Sequence, residues 1–196
     1  MVSALPVVLA TLSSLLAGSV PGENTMTNAP QSTPNVSTYS VRPFETTSDL
    51  PHLEEICRDV YDGTDYLPKT APSIVADPSC SFVVLTRENN ESLENGMGGV
   101  EKNSVGVPLA VANLRRSHLP GVCWLEAVRT SNAHRNRGLA KSIVTKLLDD
   151  ASSYGEDTLT CTVKSNIAMR KVLEGAGMKV LGQIHIGSFS ALKELP

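Results

Sequence analysis

The chain has 196 residues, 41% of them hydrophobic and 19% charged, the make-up of one soluble domain with a sizeable core. A formal net charge of −3 and an aromatic content of 4% argue against a nucleic-acid partner, which needs a broad basic face or rings for base stacking. Four widely separated cysteines, Cys57, Cys80, Cys123 and Cys161, form no Cys-x-x-Cys pair and no histidine sits at metal-ligand spacing. They read as free thiols in a reducing compartment, with neither a metal site nor a catalytic thiol.

In chain order, Ala4 to Ala17 is apolar and closes on Ala17-Gly18-Ser19, which a signal peptidase can accept, but the basic residue expected before such a segment is missing. It is too short to span a bilayer, so no stable membrane insertion is expected. Asn24 to Thr38 is rich in Pro, Asn, Ser and Thr and is expected to be disordered. Residues 1–38 therefore read as a leader without structural role, with Met26 as an alternative start, and residues 39–196 as a single domain. Asn35-Val36-Ser37 and Asn90-Glu91-Ser92 match the glycosylation sequon, which keeps a secretory placement open beside a cytoplasmic one.

Tyr39 to Phe44 alternates like a strand, with Pro43 near its end. Ser48 or Asp49 can cap a following helix with Pro51 in its first turn and Leu53, Ile56, Cys57 and Val60 on its buried stripe. Tyr61 to Pro68 is a turn-rich connection. It is either that alone, or a loop whose Tyr61, Asp65 and Tyr66 line a site for a charged amine. Ser81 to Arg87 and Val105 to Leu114 read as strands, joined by a long, mobile loop over Glu88 to Ser104. The short turn at Pro120-Gly121 makes Leu114 and Val122 the ends of antiparallel neighbours.

Val122 to Arg129 is an apolar strand broken by Glu126 and Arg129. Strict alternation places Trp124, Glu126 and Val128 on one face and Leu125, Ala127 and Arg129 on the other. From Gly138 a helix follows, with Leu139, Ile143, Val144, Leu147, Leu148 and Ala151 as its stripe and Gly155 as its stop. The unpaired N–H groups at such a helix start, with Gly138 and the small Ala140 allowing close approach, suit a phosphate. Arg129, His134, Arg135, Arg137 and Lys141 add local positive charge. Thr158 to Val163 alternates and is expected to run parallel to the Val122 strand. Asn166 to Ala176 is a second helix, buried through Ala168, Met169, Val172, Leu173 and Ala176, and Met178 to Ile186 closes the sheet.

Gly138-Leu139-Ala140-Lys141-Ser142 lacks the earlier glycine of a nucleotide-hydrolase loop and the three glycines of a dinucleotide fingerprint. The hexapeptide Arg135-Asn136-Arg137-Gly138-Leu139-Ala140 resembles instead the Gln/Arg-x-x-Gly-x-Gly/Ala signature of the GNAT superfamily of acyl-CoA-dependent N-acetyltransferases, between the strand and helix where that family carries it. The resemblance runs from Tyr39 to Ile186 and implies an α/β fold with a mixed sheet in the order β-α-α-β-β-β-α-β-α-β. Acetyl-CoA is the implied co-substrate, with no metal, and a cytoplasmic placement fits it. Tyr61 to Pro68 is similar to the Tyr-x-Gly-x-Asp-Tyr-Leu-Pro segment of histidine N-acetyltransferases and their relatives, which also carry an acid three residues before the arginine equivalent to Arg129.

The implied cofactor contacts are the main chain of Val128, Arg129 and Thr130 for the pantetheine arm, the stretch Arg135, Asn136, Arg137, Gly138, Leu139, Ala140 and Lys141 for the pyrophosphate, and Asn166 on the later helix. Glu126 is the candidate base. A carboxylate in an apolar strand loses solvation, which fits it to take up a proton, the alternative being a structural ion pair with a basic neighbour. The tyrosine usual in the family seven residues after Asn166 is Leu173 here, leaving Tyr61, Tyr66 or Tyr154, or water, to protonate the leaving thiolate. Ser188 to Lys193 is too short and irregular for the usual final strand. The expected activity is acetyl transfer to a small amine such as the α-amine of histidine; the alternative is a non-catalytic acyl-CoA-binding module. Oligomeric state is not legible.

Overall fold

A computed structural model describes residues 6–11, 39–87 and 106–183. The expectations for the Glu88–Ser104 loop, for both sequons, for the 24–38 stretch and for Ser188–Lys193 lie outside the described residues. The elements are β1 (Pro6–Thr11), β2 (Tyr39–Pro43), α1 (Thr46–Cys57), α2 (Leu67–Ala76), β3 (Cys80–Arg87), β4 (Pro108–Arg116), β5 (Val122–Thr130), a 3-10 turn (Asn132–His134), α3 (Leu139–Ser153), β6 (Asp157–Val163), α4 (Ile167–Gly175) and β7 (Lys179–Gln183). The strands form one mixed sheet in the order β2-β3-β4-β5-β6-β1-β7. From β2 to β5 every pairing is antiparallel, and β5 pairs β6 in parallel, as a helical crossover between them requires.

One expectation is corrected at the start of the chain. Pro6–Thr11 is not without structural role: it pairs antiparallel with β6 along its whole length and with β7 on its other side. An apolar run of this length suits a central strand as well as a leader, and periodicity cannot separate the two.

Two cores lie on the two faces of the sheet. Leu139, Ile143, Val144, Leu147, Leu148 and Ala151 of α3 pack with Leu173 of α4 against Leu85, Leu109, Cys123 and Leu125. Leu53 and Cys57 of α1 and Leu67, Ala71 and Ile74 of α2 pack against Phe82, Val84, Val111 and Ala127, with Phe44 stacked on Phe82 at 4.6 Å between centroids. The α1 helix starts earlier than its predicted cap. Asp49 sits inside its first turn, where Oδ2 accepts the Glu45 N–H at 2.8 Å and the carboxylate takes two 2.7 Å bonds from Arg42.

The α4 stripe is also narrower than predicted. Leu173 is its buried member, while Ala168 is exposed and Met169 and Val172 are half-buried.

β5 departs from simple alternation. Val111 pairs with Arg129 and Asn113 with Glu126, so two steps along β4 face three along β5, and Ala127 takes φ 58°. This is a β-bulge. It reverses the sides of the residues beyond it: Ala127 joins the α1/α2 core and Val128 packs on the α3 core, the opposite of the predicted faces. Arg129 is thereby brought to the side of Glu126.

The α3 stripe is the largest apolar contribution to the first core. Leu147 is fully buried, so Leu147→Ala should lower unfolding free energy by about 2–5 kcal/mol in urea titration. A loss under about 1 kcal/mol would contradict its place in the core.

Candidate active site

β5 and β6 pair over Val122–Trp124 and Asp157–Leu159 alone and then part. Beyond that point the Thr160 hydroxyl bridges the gap, donating to the Leu125 carbonyl at 2.7 Å. The remaining β5 main chain on this side has no strand partner among the described residues, and unpaired strand edges accept extended ligands. Two cavities open on this seam.

The larger, about 730 Å³, is lined by Val128, Thr130, Arg135, Asn136, Gly138, Ala140, Lys141 and Asn166, together with Ile167 to Met169, Lys171 and Val172. Its floor is the start of α3. Asn136 (φ 62°) and Gly138 (φ 78°) are both left-handed, a tight double bend that launches the helix directly. Gly138 has open space at the Cβ position, so backbone conformation and not crowding favours glycine. The first intrahelical bond runs from the Ser142 N–H to the Gly138 carbonyl at 2.9 Å, leaving the N–H groups of Leu139, Ala140 and Lys141 without an intrahelical acceptor. These groups, the helix dipole, Arg135 and Lys141 concentrate positive potential at this end of the cavity, the electrostatics that suit an anion. Asn166 caps α4, its Oδ1 accepting the Met169 N–H at 3.1 Å.

Three of the predicted cofactor residues are not among the lining of this cavity. The Leu139 side chain is buried in the core and offers its main chain alone. Arg137 lines a separate cavity with Tyr39, Arg87 and His134. The Arg129 side chain lines the smaller cavity on the seam.

That smaller cavity, about 280 Å³, is lined by Tyr61, Tyr66, Trp124 to Arg129, Thr160 to Thr162, Asn166 and Met169. Val128, Asn166 and Met169 belong to both cavities, so the two adjoin. Glu126 is not the isolated carboxylate expected. Asn113 Nδ2 and Arg115 Nε donate to its Oε1 at 2.8 and 3.1 Å, and Arg115 Nη1 donates to Asp77 at 2.8 Å. Its side chain is 28% exposed, and Oε2 accepts no hydrogen bond from the described residues. The ion pair and the open oxygen coexist.

Asp65 does not face the cavity. Its carboxylate takes 2.7 and 3.1 Å bonds from Arg129 Nε and Nη2 and the Leu67 N–H at 3.1 Å; its side chain is 1% exposed. The pair anchors the α1–α2 connection and places Tyr61, whose ring lies 5.4 Å from the Arg129 guanidinium, and Tyr66 over the site. Burial raises the Tyr66 pKa against the opposing charge of Arg129, so the phenol keeps its proton. Tyr154 is excluded from the seam: it stacks with Arg116 in another cavity.

Burial pushes the Cys57 and Cys123 thiols up to about 12, and all four cysteines are free. No group of His, Cys, Asp or Glu among the described residues is arranged to hold a metal ion, and no helix there is long and apolar enough to cross a membrane. Sequence reasoning missed Asn113, Arg115 and Asp77 around Glu126, and Thr160 to Thr162 on the facing wall. Register across β4 and β5 brings in Asn113 and Arg115, whereas Asp77 comes from the end of α2 and Thr160 to Thr162 from β6 past the parting.

The Acetyltransferase (GNAT) family model matches residues 53–178. The chain belongs to this acetyltransferase family. Solved GNAT-like structures share its fold. A GNAT-family chain from Novosphingobium aromaticivorans superposes with a TM-score of 0.55 at 17% identity, over 92% of this chain and 61% of that one. AAC(6')-Iy, bound to the bisubstrate analogue CoA-S-monomethyl-acetylneamine, gives 0.56 at 17% identity over 79% of this chain and all of that one. The ribosomal-protein-S18-alanine N-acetyltransferase of Escherichia coli gives 0.54 at 18% identity over 71% and 77%. The GNAT protein thus spans 61% of the length of the first of these relatives. No curated protein matches its sequence significantly.

The Arg129–Asp65 pair generates a pH prediction. Burial opposes ionisation of Asp65, but the hydrogen bonds from Arg129 and Leu67 and the Arg129 charge outweigh it and hold its pKa below the ordinary value. Its contribution is therefore present above about pH 4, the unfolded value, and is lost as pH falls through the lower folded value. Asp65→Asn should cost about 3–5 kcal/mol at pH 7 by leaving Arg129 buried without its partner, and the gap to wild type should narrow on acidification. Parallel urea curves at pH 7 and pH 3 check this; a gap constant across that range would contradict it.

Proposed function

We propose that this GNAT protein transfers an acetyl group from acetyl-CoA to the amine of a small molecule. The observation that carries the reading is that two cavities adjoin along the β5–β6 seam, sharing Val128, Asn166 and Met169, one suited to a phosphate-bearing cofactor and the other to an acceptor. Main-chain groups of Val128 and Thr130 suit a pantetheine arm laid along the open strand edge, and the α3 start with Arg135, Asn136 and Lys141 suits the diphosphate. Acetyl-CoA, when bound, supplies the activated acyl group as a thioester. The chain's residues hold it, position the amine and move protons.

Attack requires a neutral amine. Glu126 Oε2 opens to the acceptor cavity and takes the ammonium proton, directly or through a water, while Arg115 and Asn113 fix the carboxylate through Oε1. The amine nitrogen would bond to the acyl carbon and the carbon–sulfur bond would break. The thiolate would take a proton from Tyr66, the second proton shed by the acylated nitrogen would return through solvent to the Tyr66 phenolate, and the proton held by Glu126 would pass to solvent. Desolvation raises the Tyr66 pKa and so favours its protonated form before transfer. Leu173, at the position usual for a tyrosine, is fully buried and takes no part. That burial also motivates a second reading, binding of acyl-CoA without turnover.

The resemblance of Tyr61 to Pro68 to histidine N-acetyltransferases makes the α-amine of a free amino acid, histidine first, the acceptor to try. Titration calorimetry with CoA, then CoA release over a panel of amino acids and polyamines, separates the readings: release with one amine class supports transfer, and binding without release favours the second reading. Glu126→Gln should lower kcat by about 10²–10⁴-fold with the KM for acetyl-CoA little changed. An unchanged kcat together with a lower melting temperature would make Glu126 a structural ion-pair member.

A further inference from the structure

The β1 strand occupies an unusual place for a segment so far from β2 in sequence. β6 is held by β5 over Asp157–Leu159 alone, whereas β1 pairs it from Thr158 to Val163. The outer half of β6, past the parting of the seam, therefore has β1 as its strand partner. That half carries Thr160, Cys161 and Thr162, one wall of the acceptor cavity. β7 pairs with β1 and is exposed at all five positions, so among the described residues no other strand holds it to the sheet.

We propose that residues 6–11 are a positioning strand for the acceptor site: the chain's own segment fills the slot between β6 and β7 and fixes the Thr160–Thr162 wall against β5. The occupant belongs to the same molecule, because residues 12–38 supply far more chain than the roughly 24 Å across five strand spacings requires. The proposal follows from what each partner loses without it. The Thr160 hydroxyl bond to Leu125 would be the remaining tie across the open seam, and unpaired main chain on β6 and β7 would be left to water or to foreign strands. The same six residues cannot be an inner strand of this domain and be removed with a cleaved leader.

The effect on activity rests on the transferase reading above, but the strand's placement can be tested without it. Val8 lies directly opposite Cys161 in the antiparallel register, and directly opposed residues are within disulfide reach. In the full chain carrying Val8→Cys, mild oxidation and peptide mass spectrometry should find position 8 joined to Cys161, a bridge abolished by adding Cys161→Ser. With mixed isotope-labelled and unlabelled protein, the bridge should lie within one chain. Bridging to Cys57, Cys80 or Cys123 as readily, an introduced thiol that stays unbridged, or a bridge between chains would each overturn the proposal.

For the positioning role, Leu9→Pro breaks pairing opposite both Thr160 and Val180. It should raise the acceptor KM at least tenfold and the acetyl-CoA KM less than twofold, because the cofactor cleft is not built on β6. Equal acceptor KM values in a folded Leu9→Pro protein would overturn the role. Should that variant not fold, the oxidised Val8→Cys protein is compared with its reduced form at elevated temperature. The locked form should then keep its acceptor KM while that of the reduced form rises, and no difference would overturn the role. Failure of wild type to bind CoA, with the bridge to Cys161 intact in the variant, would instead count against the transferase reading.

Discussion

The parting of β5 from β6 after Trp124 and Leu159 is the constraint on which the rest of this molecule depends. Two adjacent parallel strands that stay paired bury their main-chain groups in each other. Here the bulge at Ala127 turns β5 away, and the groups beyond it must find other partners. Thr160 supplies one hydrogen bond to Leu125. The others line a gap flanked by the α3 start on one side and the α1–α2 connection on the other. A ligand with an extended polar arm and an anionic end would complement that gap, each main-chain bond adding roughly 1 kcal/mol and the helix start its own attraction for phosphate.

Opposite charges arranged in chains keep the gap in shape. On the α1/α2 face, Asp77, Arg115 and Glu126 form one connected series and Asp65 with Arg129 forms another. The buried Asp65–Arg129 pair contributes fixed geometry more than net stability. It ties the turn bearing Tyr61 and Tyr66 to the strand just past the bulge. The formal charge of −3 says nothing of this local order. Arg135 and Lys141 line the larger cavity, while Glu126 sits among donors in the smaller one, and their separation along the seam gives the cleft an electrostatic direction.

Much of the fold was legible because each element carries its own periodic signal. The α3 stripe, the glycine stops and the parallel crossover follow from spacing alone, and the Gly138 helix start was legible without tertiary knowledge. The bulge was not legible. Ala127 at positive φ carries no glycine signal, so strict alternation put Val128 and Arg129 on the wrong faces. Asp65 looked free on a polar turn until packing brought Arg129 against it, and Arg137, two residues from Arg135, lines a different cavity from it. The early strand was missed for a different reason: six apolar residues have the same composition in an inner strand as in a leader.

Hydrogen exchange on the full chain, with and without CoA, tests the central claim most directly, because it reads the main-chain groups themselves. The account predicts slowed exchange at Val128 to Thr130 and at Leu139 to Lys141, with no change along β3. Binding that leaves those amides unaffected, or that protects instead the region around Tyr39, Arg87 and Arg137, would contradict it.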